Sequence, residues 1–335
     1  MTRVSALVGV LWLTACACPA LAVRQEREPA TIRVNSRLVN LDVLVTDRRT
    51  GTRVNGLRKE DFEVLDDGQH VEITHFTSSN DRDRPFALVL FVEVNNSIHP
   101  ILPNLESKLE RALRGLEPAD QVSVFIFDPY NFQMVQELTA DRGQVLKALA
   151  GAAELQRQKD RAEQYKKFEA LPNALLAGAS HVQDRQPGAR TAFVVIGSDF
   201  DVVSGKVVDG VTRHLLAAGA TVAGLLKSDA QTSAAKLMVR AMTAPSGGSA
   251  RAEETAYFSS RTGGETITVH GEDYGNALER VIGDVTQRYS LGFVPAEARL
   301  DGKFHKLRVG VKPTAAQDKE RRLQVRTRRG YFATP

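Results

Sequence analysis

"FALVLFVEV" (residues 86–94) is a continuous apolar run broken only by Glu93. A strand with one wet face alternates apolar and polar residues, so a run without alternation fits a strand covered on both faces. Working outward, residues 105–116 place Leu105, Leu109, Ala112, Leu113 and Leu116 at helical spacing. Strand patterns at 121–128 and 133–138 lead to a helix at 142–153 and a charged stretch at 154–167, read as a solvated helix or loop. The alternation continues with a helix at 168–182, a buried strand at 191–198, a helix at 206–217 and a strand at 220–227. A helix at 232–242, a small-residue loop at 246–249, a short strand at 263–269 and a helix at 274–287 complete it. Strands alternating with helices predict a doubly wound, mainly parallel α/β sheet over residues 85–287.

The flanks read differently. In residues 32–47, Val39, Leu41, Val43 and Val45 share one parity, as in a half-buried antiparallel strand. Residues 61–76 read as strand, turn, strand around Asp67-Gly68. Residues 80–85 are polar, end in proline and read as a linker. After the α/β region, residues 288–295, 304–312 and 322–332 alternate again. Neither flank has enough strands for a sandwich, whereas together they supply about seven. The expected architecture is therefore one discontinuous β-sandwich (residues 31–80 plus 288–333) with the α/β domain inserted into it.

At the N-terminus, Arg3 precedes an apolar run from Val4 to Ala15, and Ala20-Leu21-Ala22 supplies a small-x-small cleavage pattern. Residues 1–22 are thus expected to be a secretory signal peptide, too short to remain as a membrane span. Leu13-Thr14-Ala15-Cys16 also fits a lipoprotein signal, which would cut before Cys16 and leave a lipid anchor there as the only membrane attachment. The expected location is exported: secreted, periplasmic or envelope-associated. The two cysteines, Cys16 and Cys18, lie in this segment. Cleavage after Ala22 would exclude a disulfide, a cysteine-ligated zinc and a cysteine nucleophile together. A formal net charge of +4 over 335 residues, without basic residues interleaved with aromatic ones, argues against nucleic acid as a partner.

Several markers share a pattern with a known family. "VNGLRKEDFEVLDDGQHVEITHF" (residues 54–76), "SSRTGGETI" (259–267), "RYSLGFVP" (288–295) and "VRTRRGYF" (325–332) are jointly specific. With them the chain resembles the von Willebrand factor A-related proteins common in acidobacteria, and its middle resembles the von Willebrand factor A fold. That resemblance implies binding rather than catalysis. It also implies a metal-ion-dependent adhesion site, built from D-x-S-x-S after the first strand, a threonine in a second loop and an aspartate after the fourth strand. Here Glu93 stands for the first aspartate, Asn95 for the first serine, Ser97 keeps its place, Glu169 falls at the threonine position and Asp199 at the late aspartate. Glutamate is one methylene longer and Asn95 carries no hydroxyl, which disturbs octahedral Mg²⁺. The residues favour a rim that binds without metal. A divalent cation held by Glu93, Asn95, Ser97 and Asp199 is the alternative, Ca²⁺ or Mn²⁺ in preference to Mg²⁺.

Catalytic patterns are missing. The seven histidines show no H-x-x-x-H or H-E-x-x-H spacing, and His181 and His214 read as helix-surface residues. Ser198 lacks the G-x-S-x-G frame of a nucleophile elbow, and residues 246–249 lack the lysine of a phosphate loop. Asp66 and Asp67 are explained by their hairpin turn. Arg326, Arg328 and Arg329 read as a charged sheet edge, with an acidic ligand or surface as the alternative. The expected function is an exported, non-catalytic module of adhesion type. It would bind a protein partner through a rim of Glu93, Asn95, Asn96, Ser97, Glu169, Asp199 and Asp201. Two rivals are a structural envelope protein with the A-like domain as a spacer, and a hydrolase using Glu93 and Asp199 as paired carboxylates.

Overall fold

In chain order the first strand is β1 (Val39–Asp47), followed by β2 (Phe62–Asp66), β3 (Gln69–Val71) and β4 (His75–Thr77). The computed structural model describes residues 38–81, 84–94, 102–128, 131–159, 170–198, 205–228, 254–269, 274–312 and 323–333. The α/β region contributes β5 (Phe86–Glu93), α1 (Leu102–Leu113), β6 (Gln121–Phe127), β7 (Phe132–Thr139), α2 (Arg142–Lys159) and α3 (Ala170–Arg185). It continues with β8 (Arg190–Ser198), α4 (Gly205–Ala217), β9 (Thr221–Lys227), α5 (Glu254–Thr262), β10 (Thr266–Val269) and α6 (Tyr274–Thr286). Strands β11 (Tyr289–Phe293), β12 (Phe304–Val311), β13 (Leu323–Arg326) and β14 (Gly330–Phe332) end the described chain.

The central sheet runs β10-β9-β8-β5-β6-β7, parallel except for the antiparallel edge strand β7. Counted from β5 within the domain, that is the doubly wound order 3-2-1-4-5-6, and the fold is von Willebrand factor A-like. β5 is buried along its whole length, as its lack of alternation requires. Phe86, Leu88, Leu90 and Val92 pack against residues of α1, α2 and α6. Ala87, Val89 and Phe91 pack with residues of α3, α4 and α5. Phe91 stacks on Phe125 at 5.3 Å and meets Phe193 edge-on at 5.2 Å. A Cβ on Gly178 would lie 2.7 Å from the Phe91 ring, so α3 comes this close because it has no side chain there.

Two four-stranded sheets, β13-β1-β11-β4 and β14-β12-β2-β3, each mix strands from before and after the α/β region. Val39 pairs with Phe293 and Val43 with Tyr289, while Val64 pairs with Val309. Leu41, Val43, Val45, Phe62, Val64, Tyr289, Leu291, Phe293 and Tyr331 share one core between these sheets.

Four expectations need correction. The second run of 61–76 is not one strand: β3 returns beside β2, but β4 crosses to the other sheet and pairs with β11. Residues 322–332 likewise split, with β13 beside β1 and β14 beside β12. Strand β1 is not half-buried, since Leu44 and Thr46, of the other parity, are buried too. Its outer face meets the α/β domain, where Asp42 approaches Arg84 at 3.5 Å and Arg190 at 4.0 Å. Finally, α5 has no counterpart in the sequence reading. Its buried residues include Glu254, Thr255, Ser259 and Thr262, so the apolar stripe that normally marks a helix is missing. The expected helix at 232–242, the loop at 246–249 and the N-terminal segment with Cys16 and Cys18 lie outside the described residues.

Polar side chains tie the two regions together. Arg190 reaches Asp42 of β1 at 4.0 Å, and within its own domain it donates to the carbonyls of Val285, at 3.0 Å, and Thr286. Arg288 donates to Asp284 O at 2.7 Å and Gly263 O at 2.9 Å, while Arg53 pairs with Asp284 at 3.0 Å. Burial lowers the Arg288 pKa to about 10, so it stays charged at neutral pH.

Candidate functional site

Parallel strands end on one edge, and the register fixes what stands there. Glu93 pairs with Phe127, Ser198 with Lys227, and Lys227 with Val269. Val92 pairs with Ile196, which puts Gly197 beside Glu93. A Cβ at Gly197 would lie 2.7 Å from Glu93 Oε2. The glycine therefore clears the space that the carboxylate fills. Glu93 is 6% exposed, and its charge helps burial push the Tyr274 phenol upward, burial being the larger cause. Tyr274 donates its hydroxyl to Leu225 O at 3.0 Å. Between β5 and β8 the order of strands reverses, and such a switch point is where open α/β sheets carry ligands. Glu93 and Gly197 end the two strands that flank it.

Of the expected rim, Glu93 is placed as the register required. Asn95, Asn96, Ser97, Glu169, Asp199 and Asp201 lie outside the described residues. His214 is exposed, as expected, with a ring nitrogen 2.9 Å from Gly210 O. His181 is not a plain surface residue. Its Nε2 accepts from the Leu138 amide at 3.3 Å, and burial lowers its pKa.

A second cluster was missed. Asp67 takes φ +47° and Gly68 φ +85°, the backbone of a tight two-residue hairpin. That turn aims Asp67 at the start of β12. There its carboxylate accepts from His305 Nδ1 at 2.9 Å, Arg299 Nη1 at 2.6 Å and the Lys306 amide at 2.8 Å. The other ring nitrogen of His305 meets Asp301 at 3.0 Å. Behind them Asp66 is buried and accepts from the Tyr331 hydroxyl at 3.0 Å, while its Oδ1 is sealed without a hydrogen-bond partner. Burial opposes charge on His305, but the two carboxylates prevail and raise its pKa. The His305 hydrogen bond and then the Lys306 amide lower Asp67, and the Lys303 amide is the main cause that takes Asp301 down to about 2.

Asp66, Asp67 and His305 offer three ligand atoms within 4.8 Å of one another. The chemistry nevertheless favours a clamp over a metal site. Three carboxylates, Asp66, Asp67 and Asp301, face Arg299, Lys303 and a protonated His305, so the charges balance already. An entering cation would have to displace Arg299 and strip a ring proton. In the sequence, Asp67-Gly68 signalled the turn, but nothing local joined it to a histidine 238 positions away.

No protein-family profile matches the chain, and no curated protein does. Among solved structures, it is similar to the conserved hypothetical protein BatB from Bacteroides thetaiotaomicron, at 15% identity and a TM-score of 0.42, covering 60% of this chain and 98% of that one. An aerotolerance-related membrane protein from Bacteroides fragilis gives 15% identity, a TM-score of 0.38 and the same coverage. A von Willebrand factor type A protein from Catenulispora acidiphila gives 10% identity and a TM-score of 0.40 over 84% of this chain and 72% of that one. Strand order and register, rather than these distant likenesses, carry the fold assignment.

Proposed function

We propose that the chain is an exported, non-catalytic binding module, related to the acidobacterial proteins its marker motifs resemble. In this reading it takes a protein partner at the C-terminal edge of the central sheet. The observation that supports it is the buried Glu93 carboxylate beside Gly197, at the switch point of a von Willebrand factor A-like sheet. With Glu93, Asn95, Ser97 and Asp199 in place of the usual set, the adhesion site is degenerate and contact is made without Mg²⁺. Any cation effect is small and favours Ca²⁺ or Mn²⁺. No helix among the described residues is long and apolar enough to cross a membrane.

The test is affinity capture from a native envelope extract with the wild-type chain and Glu93→Lys, each with EDTA, Mg²⁺ or Ca²⁺. A partner retained by the wild type in EDTA and lost by a folded Glu93→Lys is the expected result. Capture that survives the substitution would move the interface off this rim. Capture that requires Mg²⁺ would show an intact metal site, and no specific partner would leave the domain as a spacer.

A further inference from the structure

The loop between β1 and β2 carries the one Asn-Gly step of the chain, Asn55-Gly56. Its neighbours on either side are fixed. Val54 and Leu57 both pack against the sandwich core, and a single hydroxyl holds the two: Tyr289 Oη donates to Val54 O at 2.9 Å and accepts from the Leu57 amide at 3.0 Å. A β-turn would join those backbone groups directly. Here a buried tyrosine is inserted between them. Gly56 takes φ +82°, the value that the third residue of a type II turn needs and that glycine adopts without strain.

Between the fixed ends the two residues are exposed. Neither the Asn55 carbonyl nor the Gly56 amide has a hydrogen-bond partner among the described residues, and nothing lies within 4 Å of where a Gly56 Cβ would stand. The peptide plane between them can therefore turn without breaking a bond. Asn55 Oδ1 accepts from Ser79 Oγ at 3.1 Å, which polarises the side-chain carbonyl. Its Nδ2 is held by nothing among the described residues.

We infer that Asn55 is a site of spontaneous covalent modification: deamidation through a cyclic imide, whose isoaspartyl product releases the Tyr289 clamp. The Gly56 nitrogen attacks Asn55 Cγ. The N–Cγ bond forms, the Cγ–Nδ2 bond breaks, and the Gly56 amide proton leaves on that nitrogen as ammonia. Glycine offers no side chain to obstruct the closure. Water then opens the ring on one side or the other. Hydrolysis at Cγ gives aspartate with the main chain unchanged. Hydrolysis at the main-chain carbonyl of residue 55 reroutes the chain through the side chain, adding one carbon to the path from Val54 to Leu57. Both ends of that path sit on one hydroxyl, so the longer path gives up at least one of the two hydrogen bonds.

The test holds the full chain at mildly alkaline pH and follows it by tryptic digestion, since cuts after Arg53 and Arg58 isolate residues 54–58. Mass spectrometry and chromatography separate the asparagine, aspartate and isoaspartate forms, and a portion digested at the outset subtracts conversion during handling. Asn55 is expected to convert faster than any other asparagine of the chain, with isoaspartate among the products. Asn55→Gln, whose longer side chain would have to close a larger ring, should convert at least tenfold more slowly. The isoaspartyl protein should melt below Asn55→Asp, which has the same charge on an ordinary main chain, while Asn55→Asp stays near the wild type. Conversion no faster than at other asparagines, or aspartate as the only product, would overturn the inference. An isoaspartyl protein that melts together with Asn55→Asp would overturn the release of the clamp.

Discussion

His305 holds a proton between Asp67 and Asp301, and that arrangement has a definite pH signature. A base whose folded pKa is raised adds stability that is complete below its unfolded value, near 6.5, and is lost as pH rises through the folded value. Asp67 and Asp301 are lowered, so their contribution is complete above about 3.8 and is lost as pH falls. The clamp is therefore strongest between about pH 4 and 6.5. Melting temperature measured from pH 5 to 9 should decline across the histidine titration in the wild type and flatten in His305→Gln. An equal slope in both would mean that the clamp contributes nothing. Glu93 and Gly197 make a second pair. Gly197→Ala should cost about 1–3 kcal/mol, because its Cβ would press on a carboxylate packed among neighbours. In a Glu93→Ala background the same change should cost markedly less. Denaturant titration of the four proteins gives that coupling directly, and additive costs would show that the two do not touch.

Among elements, the most informative are those that change sheets. β3 and β4 are three residues apart and lie in different sheets, as do β13 and β14. Period-two alternation marks inward and outward faces but carries no label for the sheet a strand joins. The switches were therefore illegible, although every strand involved lay in a segment read as β. β5 was legible because burial on both faces removes alternation altogether. α5 was not, since Ser259, Thr262 and Glu254 stand where a helix usually turns apolar residues inward. Of the rim, Glu93 could be placed from sequence because register alone puts a strand's last residue at the edge. The His305 clamp needs contacts across the whole chain. The "TGG" of the 259–267 marker now has a physical reason. Gly263 takes φ +87° against the Thr327 backbone, and a Cβ at Gly264 would fall on the Val222 carbonyl. Backbone cannot rotate aside as a side chain can, so Gly264→Ala should lower stability by more than about 2 kcal/mol or prevent folding. A melting temperature within a degree of wild type would contradict this packing.

Taken whole, the molecule is bound at its seam by the approach of Arg190 to Asp42, the hydrogen bond of Arg288 to Gly263 and the Arg53–Asp284 pair. Heating should accordingly give one cooperative transition by both near-ultraviolet and far-ultraviolet circular dichroism. Two separated transitions would show that sandwich and α/β domain melt independently. Interleaving the sandwich strands also sets a schedule. The Leu57 amide bonds the Tyr289 hydroxyl across 232 positions, and chains are synthesised at about 5–20 residues per second. Strands β1 to β4 must then wait on the order of ten to fifty seconds for their partners, with open β-edges that invite pairing with other chains. Meanwhile the inserted domain has two hydrophobic clusters of its own to build on. Once folded, it brings Pro85 and Thr286 into reach of the same Arg190, so a closure that would span two hundred residues becomes a short one. The insert acts as the assembly jig for the domain that encloses it. A lesion in its core, even far from the sandwich, should leave the early strands stranded and raise the yield of aggregated chains during synthesis.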